Sequence, residues 1–183
     1  MFFDKGSVKK HVKVTLGPNL VNLTIVAIEC IQSNPHKFEI RAPGLEDFTL
    51  LHNCNYAGFP SIYFPALKHA VVDAFRPNYP QEHQREVCLS LFTFLRGLNN
   101  AEFVSLSYSI IQKTLSMVPG VLEHQPSPFR RLKSLTLKLT PYHKPCQIPA
   151  KVDHQKPWQI PAKVVSYLLS GSPAGTTDLL IES

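Results

Sequence analysis

Leu132-Lys133-Ser134-Leu135-Thr136-Leu137 is the stretch on which the fold turns. Apolar residues at the first, fourth and sixth places alternate with polar ones over the last four. That alternation is the period of a strand with one face buried. The spacing returns at Leu20, Leu23, Ile25; at Leu45, Phe48, Leu50; and at Phe103, Leu106, Tyr108. Weaker copies are Leu67, Ala70, Val72 and Thr176, Leu179, Ile181. A short strand that keeps returning cannot bury its apolar face alone, so successive copies must stack.

The spacing is that of a leucine-rich repeat, and Asn53 stands at the ninth place of the second copy, where that repeat uses Asn or Cys to satisfy turning backbone. The chain has 16 Pro, and Pro18, Pro43, Pro65, Pro119 and Pro128 each lie a few residues ahead of a strand-like segment. Proline is poor in helix interiors and central strands, so these mark turns between short elements.

A pass along the chain gives strands over Leu20–Ile28, Lys37–Ile40, Leu45–Leu51 and Leu67–Val72, with a loop from Asn53 to Pro60. After Asp73 the period changes. Apolar residues at 87, 88, 91, 92, 94, 95 and 98 give a helix with a broad buried face. A strand over Phe103–Ser107, a short helix over 110–118, a strand over Leu132–Leu139, a helix over Ala162–Leu169 and a last strand at Leu179–Ile181 follow. Pro161 suits the first turn of the last helix, and Gly171 suits its stop. Strand, helix and parallel strand in series make right-handed crossovers. The expected fold is therefore an α/β, irregular leucine-rich-repeat solenoid over 16–183. Parallel strands line its concave face and helices its convex face. Residues 1–15, with Lys5, Lys9, Lys10 and Lys13, read as a disordered basic leader. Phe38, Phe48, Phe92, Phe94 and Phe103 read as core.

One repeat is of another kind. Lys144-Pro145-Cys146-Gln147-Ile148-Pro149-Ala150-Lys151-Val152 recurs as Lys156-Pro157-Trp158-Gln159-Ile160-Pro161-Ala162-Lys163-Val164. The shift of twelve residues is too short for a strand and a helix, so 144–164 reads as a duplicated loop. Loops accept such insertions because closure entropy grows slowly with length. The second copy should lead into the helix.

Several stretches together resemble the plant F-box proteins with leucine-rich repeats. They are Phe38-Glu39-Ile40-Arg41-Ala42-Pro43, Pro65 to Asp73, Pro128 to Leu137, and Tyr167 to Pro173. The resemblance spans about residues 16–183. It implies a repeat region that holds a protein substrate for a cullin ubiquitin ligase, docked through an F-box on a Skp-type adaptor. No F-box precedes the first repeat here, so that adaptor is expected only if one lies upstream. The reading is then of a fragment, truncated at both ends. The alternative is a stand-alone binding module with no ligase coupling.

Nothing in the sequence argues for chemistry. There is no phosphate loop, nucleophile elbow, zinc-protease motif or dinucleotide fingerprint. Cys30, Cys54, Cys88 and Cys146 are scattered, with no Cys-x-x-Cys, so no metal and no cofactor are expected. His69 and Asp73, four apart, read as surface residues rather than a catalytic pair. The net charge of +6 gathers in 1–13 and 124–170, where Arg130, Arg131, Lys133 and Lys138 lie. Without interleaved aromatics this argues against nucleic acid and for a solvated or protein-facing stripe. No apolar run reaches the ~20 residues of a membrane span, and no secretory h-region is present. A cytoplasmic or nuclear protein with reduced thiols fits.

The expected function is non-catalytic binding of a protein substrate or peptide on the concave face. Residues between the buried ones give two columns there. One is Asn22, Asp47, His69, Ser105, Ser134 and Asp178. The other is Thr24, Thr49, Val71, Ser107, Thr136 and Leu180.

Overall fold

The computed structural model describes residues 11–27, 37–53, 59–75, 81–107, 110, 120, 122, 125–138, 160–172 and 178–182. Nine strands and two helices lie within them. In chain order they are β1 (His11–Thr15), β2 (Asn22–Ala27), β3 (Lys37–Arg41), β4 (Asp47–Asn53), β5 (Ser61–Tyr63), β6 (His69–Phe75), α1 (Gln81–Gly97), β7 (Phe103–Ser107), β8 (Ser134–Lys138), α2 (Ala162–Leu169) and β9 (Asp178–Glu182).

The strands form two wholly parallel sheets. The large one runs β2-β4-β6-β7-β8-β9 and the small one β1-β3-β5. Both orders follow the sequence without reversal. The chain is thus mixed α/β with parallel sheets, as the strand–helix alternation predicts. One expectation needs correction. Up to β6, the layer opposite the large sheet is built of strands rather than helices. His11-Val12-Lys13-Val14-Thr15 supplies the first of these, so the disordered leader expected over 1–15 does not extend through β1. Its alternating β-branched residues suit an extended chain, and its register against Lys37–Arg41 is continuous. Residues 1–10 lie outside the described residues.

A turn joins each back-layer strand to the next strand of the large sheet. Leu20 N–H bonds Gly17 O (3.2 Å), Leu45 bonds Ala42 O (3.3 Å), Leu67 bonds Phe64 O (3.3 Å), and after α1 Ala101 bonds Leu98 O (2.9 Å). A carbonyl just before each strand then receives two consecutive N–H groups from the following unit. Val21 O takes Glu46 and Asp47 (2.9 and 3.0 Å), and Glu46 O takes Lys68 and His69 (2.8 and 3.0 Å). Lys68 O takes Glu102 and Phe103 (2.8 and 3.0 Å), and Glu102 O takes Lys133 and Ser134 (2.7 and 3.1 Å). This relay sets the register of five neighbouring strands.

The core lies between the layers. Phe48, Leu50, Ala70, Val72, Val104, Leu106, Leu135 and Leu137 point inward from the large sheet, each 2 % exposed or less. Phe64 meets Phe48 at 4.9 Å between ring centres, and Phe94 of α1 reaches Phe48 at 6.3 Å. Leu91, Phe94, Leu95 and Leu98 are fully enclosed, as the helical spacing requires. α2 continues the back layer, with Tyr167 set edge-on to Phe92 at 5.4 Å. Fully burying each such side chain contributes roughly 1.5–3 kcal/mol. At the first unit Leu16, Leu20, Leu23 and Ile25 are only partly covered.

The seventh strand departs from the expected phase. Ala101, Val104 and Leu106 fill the three inward places, so Leu106 takes the last of them rather than the middle one, and Phe103 takes none; Tyr108 lies outside the described residues. Phe103 is 42 % exposed. Its size suggested core, but the two N–H bonds to Lys68 O fix the strand so that Phe103 faces out. The correction also evens the spacing. Val104 and Leu135 stand 31 residues apart, and Leu135 and Leu179, less the twelve duplicated residues, stand 32 apart. Asn53 is the last residue of β4 rather than the start of a loop, paired with Phe75. Only Ile110 of the expected 110–118 helix is described. Of the duplicated loop only Ile160–Val164 is, and there Ala162 opens α2.

Successive turns are tightly stacked. A side chain at Gly44 would run into the backbone carbonyl of Pro18, whereas one at Gly17 would meet nothing within 4 Å. Backbone cannot swing aside as a side-chain tip can. Gly44→Ala should therefore cost about 1–3 kcal/mol, and Gly17→Ala less than about 0.5 kcal/mol. Urea unfolding of the two variants measures this, and equal effects would contradict the close approach.

Candidate protein-binding face

The outward face of the large sheet collects the predicted residues, because alternate positions of every strand leave the core together. Three rows cross it. The first runs Asn22, Asp47, His69, Phe103, Ser134 and Asp178, and the second Thr24, Thr49, Val71, Ser105, Thr136 and Leu180. In the third, Val26 pairs Leu51 and Leu51 pairs Asp73. Ser107 then pairs Lys138, and Lys138 pairs Glu182.

Asn22, Asp47, His69 and Ser134 share the first row, and Thr24, Thr49, Val71 and Thr136 the second. The error is confined to β7, where both columns were read two residues late. Ser105 belongs beside Val71 and Thr136 rather than beside His69. Ser107 belongs to the third row and is only 5 % exposed. The relay at Lys68 O again gives the reason.

Phe103 takes the place that had been assigned to Ser105. Its ring stacks on the His69 imidazole, with centres 5.1 Å apart and planes 20° apart. His69 is held from the other side by Asp47, Nδ1 to Oδ1 at 2.7 Å. An exposed aromatic is thus fixed in orientation before any partner arrives. Ser105 Oγ, next along β7, is enclosed and without a hydrogen-bond partner.

The rim at the strand N-termini carries alternating charges. Lys68 Nζ meets Glu46 at 2.9 Å, and Lys133 Nζ meets Glu102 at 2.7 Å, with Arg131 Nη2 at 3.7 Å from the same carboxylate. The hydrogen bond from Lys133 holds the Glu102 carboxyl below its ordinary range, helped by the charges of Lys133, Arg131 and Lys68. The bond to Glu46 raises Lys68. Apart from Glu102, whose side chain is 22 % exposed, these groups are solvated, so the pairs add little to stability. Each occupies the residue just before a strand or close to it. Sequence reading could have found the alternation once the phase of β7 was right.

The third row holds a half-buried acid. Burial pushes the Asp73 carboxyl up, while the Lys138 charge and a hydrogen bond from Ser107 pull it down. His69 therefore has Asp47, not Asp73, as its carboxylate partner. On the back layer, burial raises the Cys88 thiol to about 11, which leaves it protonated and inert at neutral pH. Cys30, Cys54 and Cys146 lie outside the described residues. Among the described residues no group of three His, Cys, Asp or Glu could hold a metal ion. None of their helices is long and apolar enough to cross a membrane.

The Asp73 shift makes a pH prediction. A carboxyl raised on folding contributes stability below its unfolded pKa and loses it as pH rises through the folded value. Asp73→Asn should thus gain on the parent protein as pH rises across the carboxylate range. Urea melts between pH 3.5 and pH 7 test this. A gain that shrinks with pH would mean that Lys138 and Ser107 outweigh burial.

No protein-family model matches this chain, and neither the curated proteins nor the solved structures contain a match.

Proposed function

We propose that the chain is a non-catalytic, protein-binding module of the leucine-rich-repeat type, an irregular α/β solenoid whose large sheet forms the concave binding face. On this reading it resembles the substrate-recognition region of an F-box component of a cullin ubiquitin ligase. The observation that carries this reading is the outward face itself. Six parallel strands follow one another in sequence order, and the rows of small polar and β-branched residues cross them in register. Such a surface offers a run of hydrogen-bonding and apolar positions to a protein segment. The Skp-type adaptor belongs to this proposal only where an F-box is encoded upstream. Without one, the chain is a stand-alone binder. Cytoplasm or nucleus is the proposed setting for either form.

Two measurements check it. Endogenous protein captured with an antibody against residues 144–164 should carry a specific protein partner. Skp and cullin subunits, with peptides encoded upstream of Met1, should accompany it if the ligase form is right. Their absence leaves the stand-alone form. Thr49→Arg combined with Val71→Arg, two facing positions on β4 and β6, should release the partner while the melting temperature stays within a few degrees. A captured partner indifferent to that pair of changes would move binding off the face.

A further inference from the structure

Charge is unevenly spread along the rim. At the β2–β6 end Lys68 has its own acid, Glu46, and Asp47 is taken up by the His69 ring. Among the described residues, Arg131 and Lys133 at the β7–β8 end share one carboxylate, that of Glu102, with Arg130 exposed beside them. Lys133 takes the hydrogen bond at 2.7 Å. Arg131 is left at 3.7 Å, beyond hydrogen-bond reach, and its side chain is 64 % exposed. A guanidinium in that position presents a planar fork matched to a carboxylate. The strand that begins right after Glu102 opens with Phe103, the exposed ring stacked on His69. An apolar platform and an under-neutralised cationic pair thus lie side by side at one end of the face.

We infer that this end takes a protein segment bearing an apolar or aromatic side chain followed by acidic residues. The inference rests on the protein-binding reading and names the class of partner within it. The apolar side chain covers the free face of Phe103. Carboxylates following it reach Arg131 and Lys133. Stacking on His69, itself tied to Asp47, holds the platform still, which lowers the ordering cost of docking. Interleaved acids favour a peptide over a nucleic acid. Asp47, Glu102 and Asp73 would repel a continuous phosphate backbone, while a few separate carboxylates can fit between them. The stacked pair is also too small to seat successive bases.

The test is fluorescence anisotropy on the full chain with a short labelled peptide carrying one Phe and then a run of Glu. Gln replacing Glu, or Ala replacing Phe, should weaken binding about tenfold. Arg131→Glu and Phe103→Ala should each do the same, and both lie at the surface where folding tolerates them. Lys13→Gln, exposed on the back sheet, should change nothing. Affinity should fall with added salt. Equal binding of the Gln peptide, an unresponsive Arg131→Glu variant, or tighter binding of an oligothymidylate would each overturn the inference. A neutral peptide that binds and is lost with the Thr49→Arg, Val71→Arg pair would overturn the acidic class and leave the protein-binding reading standing. If no peptide bound and that pair also failed to release the cellular partner, both would fall.

Discussion

The carbonyl that accepts two successive N–H groups ahead of each strand is the interaction on which the rest of the structure depends. Val21, Glu46, Lys68 and Glu102 each supply one, and each fixes where the next strand starts. A strand shifted by one residue would turn its whole apolar set to solvent. The relay removes that freedom before the side chains meet. It also explains how connections as unlike as the short β5–β6 turn and the long path from β7 to β8 deliver strands in one register. What comes between two units matters less than how the next strand is received.

Close packing of the turns follows from the same constraint. Because successive strands start level, the turns ahead of them stack, and residues at those places have little room. Gly44 lies against Pro18, Gly97 against Ile62, and Gly171 against Phe129 and Ser127. Behind them the aromatic contacts of Phe48, Phe64, Phe59 and Phe94 join strand and helix units into one core. That core spans the change from a strand-built to a helix-built back layer. The junction is at β5 and α1, where Ile62 packs against the last turn of the helix.

Much of this was legible in the sequence because period and punctuation carry it. The inward alternation at Leu45, Phe48, Leu50 and at Leu132, Leu135, Leu137 is plain, and so is the helical spacing of 87–98. The failures on the large sheet have one physical origin. A single strand's side-chain pattern gives its parity but not its phase among neighbours, which the backbone relay sets. Ala101 is too small to stand out as an inward turn residue, and Phe103 is large enough to read as core. The wrong phase hid the stacked His69–Phe103 pair and set Ser107 beside Val71 and Thr136. The strand at His11–Thr15 was masked by its flanking lysines. Charge marks solvation there, and an edge strand is where a sheet tolerates charge.

The Glu46, Lys68, Glu102 and Lys133 series bears on function through specificity. Solvated pairs of this kind are worth ~0–1 kcal/mol each, too little to hold the fold. Their alternation instead keeps the rim nearly neutral, so that no polyanion or polycation is favoured along its whole length. On the proposed binding face, a break in the alternation is what a partner would read. That break falls where Arg131 joins Lys133 at Glu102, immediately before Phe103, the exposed ring stacked on His69. A fixed ring gives little discrimination alone, since any apolar group covers it. A surplus cation alone attracts any anion. Placed together in a fixed order along the chain, they ask for both features at one spacing, and the rigidity of the relay sets that spacing.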